Sequence, residues 1–193
     1  LTEIFTLDMT LIPDFGQVQS DDQVFTLTPF EIYSEAKRPF FTEGTELFQK
    51  GNVFYTRRVG ATPDGFTSVN DSLGEGEFIK ENPANTNLIN ATKLSGRTNK
   101  GLGIGVFNAS SAETFATVSD SAGNTRKITT QPFSNYNMLV LDQNLKNNSY
   151  VSFYNTNVYK GQNYYTANVT GTQFLLFNKS STYSIYGRFN LSQ

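Results

Sequence analysis

A strict two-residue alternation in the second half of the chain constrains its fold more than any other feature. Tyr183, Ile185, Gly187, Phe189 and Leu191 fall on one face of an extended segment, and Ser184, Tyr186, Arg188 and Asn190 on the other. The same spacing sets Tyr165, Ala167, Val169 and Gly171 against Thr166, Asn168, Thr170 and Thr172. A period of two matches the pleat of a β-strand and not the turn of a helix. Leu102, Ile104 and Val106 alternate with Gly101, Gly103 and Gly105, which leaves one face bulky and the other bare. Such glycines suit a tight bend or a close approach by another part of the chain. Small polar turns rich in Gly and Asn separate the runs at 97–101, 121–124, 145–149, 160–163 and 178–182. Both residues accept the positive φ of hairpin turns, and connections this short leave no room for a crossover helix, so neighbouring strands are expected to be antiparallel.

The expected fold class is therefore all-β, an antiparallel meander over residues 92–193 preceded by a strand and an irregular segment within 1–91. That early part holds the Pro-containing stretches 13–17 and 37–41, and the run 34–49 is broken as a helix by Pro39 and Gly44. Aromatics at 14%, from 17 Phe and 10 Tyr with no Trp, favour strands. Charged residues make up 17%, against roughly 25% in ordinary soluble domains. The net charge of −2 comes without a basic stripe, so no nucleic-acid partner is expected. The absence of Cys and His removes disulfides, thiolate nucleophiles, zinc–thiolate sites and the commonest general base, and no cofactor or metal is expected. No apolar run approaches the roughly 20 residues of a transmembrane helix. If the chain enters a membrane it does so as a closed barrel, the other architecture that satisfies its backbone in lipid. The opening at Leu1 and the strand-like residues 189–193 suggest a piece of a longer architecture, with any leader upstream.

Alternation does not distinguish a barrel in lipid from a soluble sandwich, since both hide one face of each strand. The polar side of the strands between 150 and 190 carries Ser, Thr, Asn, Gln and Tyr with Arg188, as a wet barrel interior would, whereas a soluble surface usually carries more Lys and Glu. Tyr150, Tyr154, Tyr159, Tyr164, Tyr165, Tyr183 and Tyr186 lie near strand ends, where aromatic girdles meet a membrane interface. These features lean towards a membrane barrel without deciding between the two. A soluble all-β carbohydrate-binding module is the alternative, and a carbohydrate-active hydrolase comes third.

Acids are frequent early, at Asp8, Asp14, Asp21, Asp22, Glu31, Glu35, Glu43 and Glu46. Two of them could pair as glycosidase carboxyls, or Asp14, Asp21 and Asp22 could ligate calcium, but no Asp-x-Asp-x-Asp-Gly loop is present and a solvated turn accounts for them. No catalytic residue is assigned. Lys37, Arg38, Arg57 and Arg58, close in sequence to Glu31, Glu35 and Glu43, form the nearest thing to a basic constellation. Together with Asp14 they are expected to make an ion-pair network that folds the irregular segment against or inside the barrel. The alternative is binding of anionic sugars or lipid head groups, whose geometry guanidinium matches. Phe40, Phe41, Phe48, Phe54 and Tyr55 could stack on sugars but more often form packing core. Asn-x-Ser/Thr triplets, as at Asn70 and Asn108, are expected by chance in a chain this rich in those residues.

Ordered motifs add a resemblance. Residues 11–21 (LIPDFGQVQSD), 27–31 (LTPFE), 37–44 (KRPFFTEG) and 54–60 (FYTRRVG), followed by 93–98, 101–105 and 135–137, resemble a domain of unknown function of Bacteroidetes outer-membrane proteins. In those proteins it follows a carbohydrate-binding-like domain similar to family 9. Ile32, Tyr33 and Ser34 depart from the aromatic-proline stretch usual there. The resemblance implies that the chain is the early part of a transmembrane outer-membrane β-barrel, located in the cell outer membrane and in contact with its lipid. It implies no established activity, and the role expected of such a barrel is that of channel, scaffold or anchor, with polysaccharide reached through the upstream domain.

Overall fold

The computed structural model describes residues 4–11, 40, 44–54, 56–161 and 164–193, excepting the side chains of Ile4 and Arg57. Among these residues ten strands follow in order: β1 Ile4–Leu11, β2 Phe78–Glu81, β3 Leu88–Arg97, β4 Leu102–Ser111, β5 Thr114–Ser119, β6 Thr125–Gln131, β7 Ser134–Asn144, β8 Tyr150–Lys160, β9 Thr166–Phe177 and β10 Ser184–Ser192. Helix among the described elements is confined to short 3-10 turns at Leu47–Asn52, Thr56–Arg58 and Asn70–Ser72. The strands make a seven-stranded sheet in the order β1-β3-β4-β7-β8-β9-β10 and a three-stranded sheet in the order β2-β5-β6. Every neighbouring pair is antiparallel. The expected all-β antiparallel meander is the fold observed.

One end of the large sheet closes in tight turns between β3 and β4, β7 and β8, and β9 and β10. The second of these is made by Asn147 and Asn148, both at positive φ (59° and 56°), a conformation Asn tolerates because its side chain can bond locally. At the other end β4 reaches β7 through the small sheet, whose own core is Val69, Ala116 and Val118. These are called the turn end and the loop end below.

The two faces of the large sheet follow from register. Residues 44–54 and 56–59 lie on one face, the inner, where Leu47 and Phe48 press against the bare side of β4. A Cβ on Gly105 would stand 3.2 Å from Leu47 Cβ and Phe48 Cε1, so the glycine alternation there marks a close approach. Phe40, Phe48 and Phe54 gather on Phe107 with ring centroids 6.4, 6.2 and 4.8 Å away. Of the early aromatics, these three are core, as expected of such a cluster. Phe41 and Tyr55 lie outside the described residues.

Polarity inverts along the strands. Toward the turn end the outer face is apolar: Ile104, Leu141 and Phe153 stand side by side across β4, β7 and β8. Toward the loop end the same face carries amides, with Asn108, Asn137, Asn157 and Asn168 in one row across β4, β7, β8 and β9. The inner face does the reverse, holding Ala91, Ala109, Tyr136, Val158 and Ala167 toward the loop end and polar groups toward the turn end. On β9, therefore, Thr166, Asn168, Thr170 and Thr172 point outward and Ala167 and Val169 inward, opposite to the expectation that the polar side of each strand lines an interior. Tyr154 also departs from its expected girdle position. It is fully buried on the inner face, between Gly51 and Gly171, which leave room for its ring, and its hydroxyl donates to Asn190 Oδ1 at 2.7 Å.

The upper limit of the apolar outer band slants. At the level where β3, β4 and β7 carry Leu94, Val106 and Leu139, β8 and β9 carry Asn155 and Thr170. The band resumes with Phe153 on β8 and with Phe174 on β9, nearer the turns. From β3 to β9 the shift averages about one residue per strand, all of it falling between β7 and β9, which at roughly 3.3 Å along a strand and 4.8 Å between strands is a mean slant of about 35°. β10 leaves the slant, its Leu191 standing opposite Thr170.

Candidate functional site

A polar row crosses the inner face in register near the turn end: Arg97, Gly103, Asp142, Ser152, Gln173 and Arg188, one from each of β3, β4, β7, β8, β9 and β10. The missing side chain at Gly103 leaves space for the Arg97 guanidinium, which would lie 3.0 Å from a Cβ there. Arg97 crosses to Asp142, giving an ion pair at 2.5 Å, and also donates to the Gly101 and Asp142 carbonyls. Asp142 is 1% exposed. Its second carboxylate oxygen accepts from Ser152 Oγ at 2.6 Å and pairs with Lys50 at 3.2 Å. A buried carboxylate costs several kcal/mol unless paired and hydrogen-bonded, and here two cations and a hydroxyl meet that need.

The row grips the early segment. Lys50 reaches Asp142 while lying 4.2 Å over the Tyr150 ring. The turn Leu47–Asn52 is broken at Lys50, which is extended at ψ 133°, and at Gly51, which takes φ 74°. That left-handed step is open to glycine at little cost. It presents both peptide groups of Gly51 to the row: its N–H donates to Gln173 Oε1 at 3.1 Å, and its carbonyl accepts from Arg188 at 3.2 Å. A cleft of about 290 Å³ remains beside this contact, lined by Glu46, Gln49, Asn52, Tyr186 and Arg188. A second of about 380 Å³ lies between Phe54 and the apolar inner residues Tyr136, Val158, Ala167 and Val169.

Further ion pairs tie the inner face to other early residues. Lys93, 3% exposed at its side chain, pairs with Asp8 at 3.2 Å and donates to the Phe40 carbonyl at 3.0 Å. At the loop end buried Lys160 pairs with Asp64. In the small sheet Arg126 holds Glu77 in a two-pronged contact (2.8 and 2.6 Å), and this guanidinium, with the Gly74 amide, lowers the Glu77 carboxyl to about 2.

Asp14, Glu31, Lys37, Arg38 and Glu43 lie outside the described residues, as do Asp21, Asp22 and Glu35. Arg57 belongs to the turn Thr56–Arg58, and Arg58 is exposed at the rim of the larger cleft. Sequence reasoning missed Lys50, Arg97, Asp142 and Arg188 as partners because they come from elements far apart in the chain. One signal was available: Asp142 is the only charged residue of β7 and follows Met138-Leu139-Val140-Leu141. An acid inside such a run needs a buried partner.

A family model described as a domain of unknown function (DUF5916) matches residues 1–193, and the chain belongs to that family. A search of curated proteins and a search of solved structures each find no match.

Proposed function

Taking membership of that family as the premise, we propose that the chain is part of a transmembrane β-barrel of the Gram-negative outer membrane. The turn-end half of its outer face sits in lipid, and its early segment is clamped in the lumen. One observation carries this reading. Of the charged residues in the seven strands, Asp8, Lys93, Arg97, Asp142, Lys160 and Arg188, every one stands on the inner face. A sheet with its outer face in water would carry charge there. Instead Leu139, Leu141, Val151 and Phe153 stand about 40% exposed on central strands, forming a contiguous apolar patch of the kind that marks contact with lipid or a partner. The slant of about 35° agrees with the strand tilt of membrane barrels, whose apolar band runs level while the strands lean.

The role this supports is a membrane scaffold or anchor whose lumen is filled by its own segment 44–59. An upstream sugar-binding domain would bring polysaccharide to it. Conduction is the second role, and it requires displacement of the Lys50–Asp142 contact. The chain contains no Trp, so single tryptophans report position cleanly. In vesicles, bromine-labelled acyl chains are expected to quench Phe153→Trp and Leu141→Trp strongly and Asn137→Trp weakly. Equal quenching at the three positions would refute the barrel.

A further inference from the structure

The outer face beyond the apolar band carries no charge of either sign. Its residues on β4, β7, β8 and β9 include Asn108, Ser110, Asn135, Asn137, Asn155, Asn157, Asn168 and Thr170, with Tyr159 at the margin. They are wired together. Asn108 donates to Asn137 at 2.7 Å, Asn137 to Asn135 at 2.6 Å and Asn135 to Ser110 at 2.8 Å. Asn155 donates to Asn168 at 2.9 Å and to Thr170 at 2.8 Å.

We propose that this amide ladder is a docking surface for the sugar head groups of glycolipids in the surrounding leaflet. The inference rests on the barrel reading, because it is the run-on from the acyl-chain band that places the ladder at head-group depth. Its chemistry selects the occupant. An amide offers both donors and acceptors, as the several hydroxyls of a sugar require, whereas the anionic phosphate of a phospholipid accepts only and calls for cations, which this face lacks. The bonds within the ladder hold the amides in place before a ligand arrives, so less ordering is lost on binding. Tyr159, half exposed, adds a ring against which a sugar can pack.

The test uses the full chain in vesicles of phosphatidylethanolamine and phosphatidylglycerol containing a minor fraction of glucosyl diacylglycerol with matched acyl chains. Lipids retained on the protein are counted by native mass spectrometry. The expected result is preferential retention of the glucosyl lipid over phosphatidylglycerol by about tenfold, the size of one to two net hydrogen bonds. The substitutions Asn108→Ala, Asn137→Ala and Asn157→Ala together should abolish the preference. Asn157→Ala alone should reduce it without disturbing the ladder, since the Asn157 amide makes only a 3.4 Å contact to the Ala167 carbonyl. Retention that follows phosphatidylglycerol, or a preference unchanged in both variants, overturns the proposal. So does competition by free methyl glucoside at the concentration of the glycolipid, which would make the ligand a soluble sugar. If Phe153→Trp is quenched while the preference is absent, the ladder inference alone fails; if quenching is lost, the barrel reading fails with it.

Discussion

Leu141 and Asn137 stand on the same strand and the same face, four residues apart, and Arg at each position separates lipid from water. Leu141 lies between Ile104 and Phe153 in the apolar band and is 38% exposed. If that face meets water, Leu141→Arg exchanges one surface side chain for another, and the change stays within about 0.5 kcal/mol. If it meets acyl chains, the guanidinium costs about 2–4 kcal/mol at mid-depth, falling to about 0–1 near the interface, where Asn137→Arg would sit. The expected difference between the two variants is therefore about 2–3 kcal/mol, or about 30- to 150-fold in the folding equilibrium constant. Urea titration of the full chain folded into vesicles, followed by far-UV circular dichroism, measures it. Equal costs for the two variants, or none for Leu141→Arg, would refute the assignment of that face to lipid.

The clamp and the small sheet give three further expectations. Gly51→Ala puts a Cβ 2.3 Å from the Tyr154 ring at φ 74°, so the segment should leave the inner face and trypsin should cut after Lys50 in the variant but not in the parent. Asp142→Ala leaves Lys50 and Arg97 facing each other without the carboxylate. Because both cations keep some solvent contact, the loss should be about 2–3 kcal/mol, below the 3–5 of a fully buried pair, and Lys50→Met in the same chain should recover part of it; a urea midpoint within error of the parent would contradict the clamp. Glu77 titrates near 2 in the folded protein against 4.5 as a free carboxyl, so its contribution is complete above 4.5 and is lost as pH falls through about 2. An NMR titration placing its carboxyl midpoint near 4.5 would contradict the Arg126 contact.

Strand type and pairing were legible because hydrophobic alternation and turn residues are local, and the β10 face carrying Ile185, Phe189 and Leu191 could be read as one side of a strand. Which side is inside was not. On β10 the apolar side points out, while on much of β9 the apolar residues Ala167 and Val169 point in, and no single strand records where polarity inverts. The close approach marked by Gly103 and Gly105 was visible as bare positions, but the visitor, Leu47 and Phe48, was not. The clamp escaped because ionic partners are chosen by register. Arg97 meets Asp142 across an intervening glycine on β4, a relation that no sequence spacing carries. Basic and acidic residues close in sequence drew attention to 31–58, of which only the later part is described.

The strand count has a geometric consequence for closure. Seven strands with every neighbour antiparallel put β1 and β10 in the same direction. A ring that is antiparallel throughout holds an even number, so these two edges cannot seal against each other as an antiparallel pair. Two copies standing the same way up in a membrane fare no better, since each seam would set β10 beside a parallel β1. A ring built on this sheet takes an odd number of additional strands, the one beside β10 running counter to it. Among the described residues both edges are unpaired, and until such strands are in place they invite adventitious strand pairing.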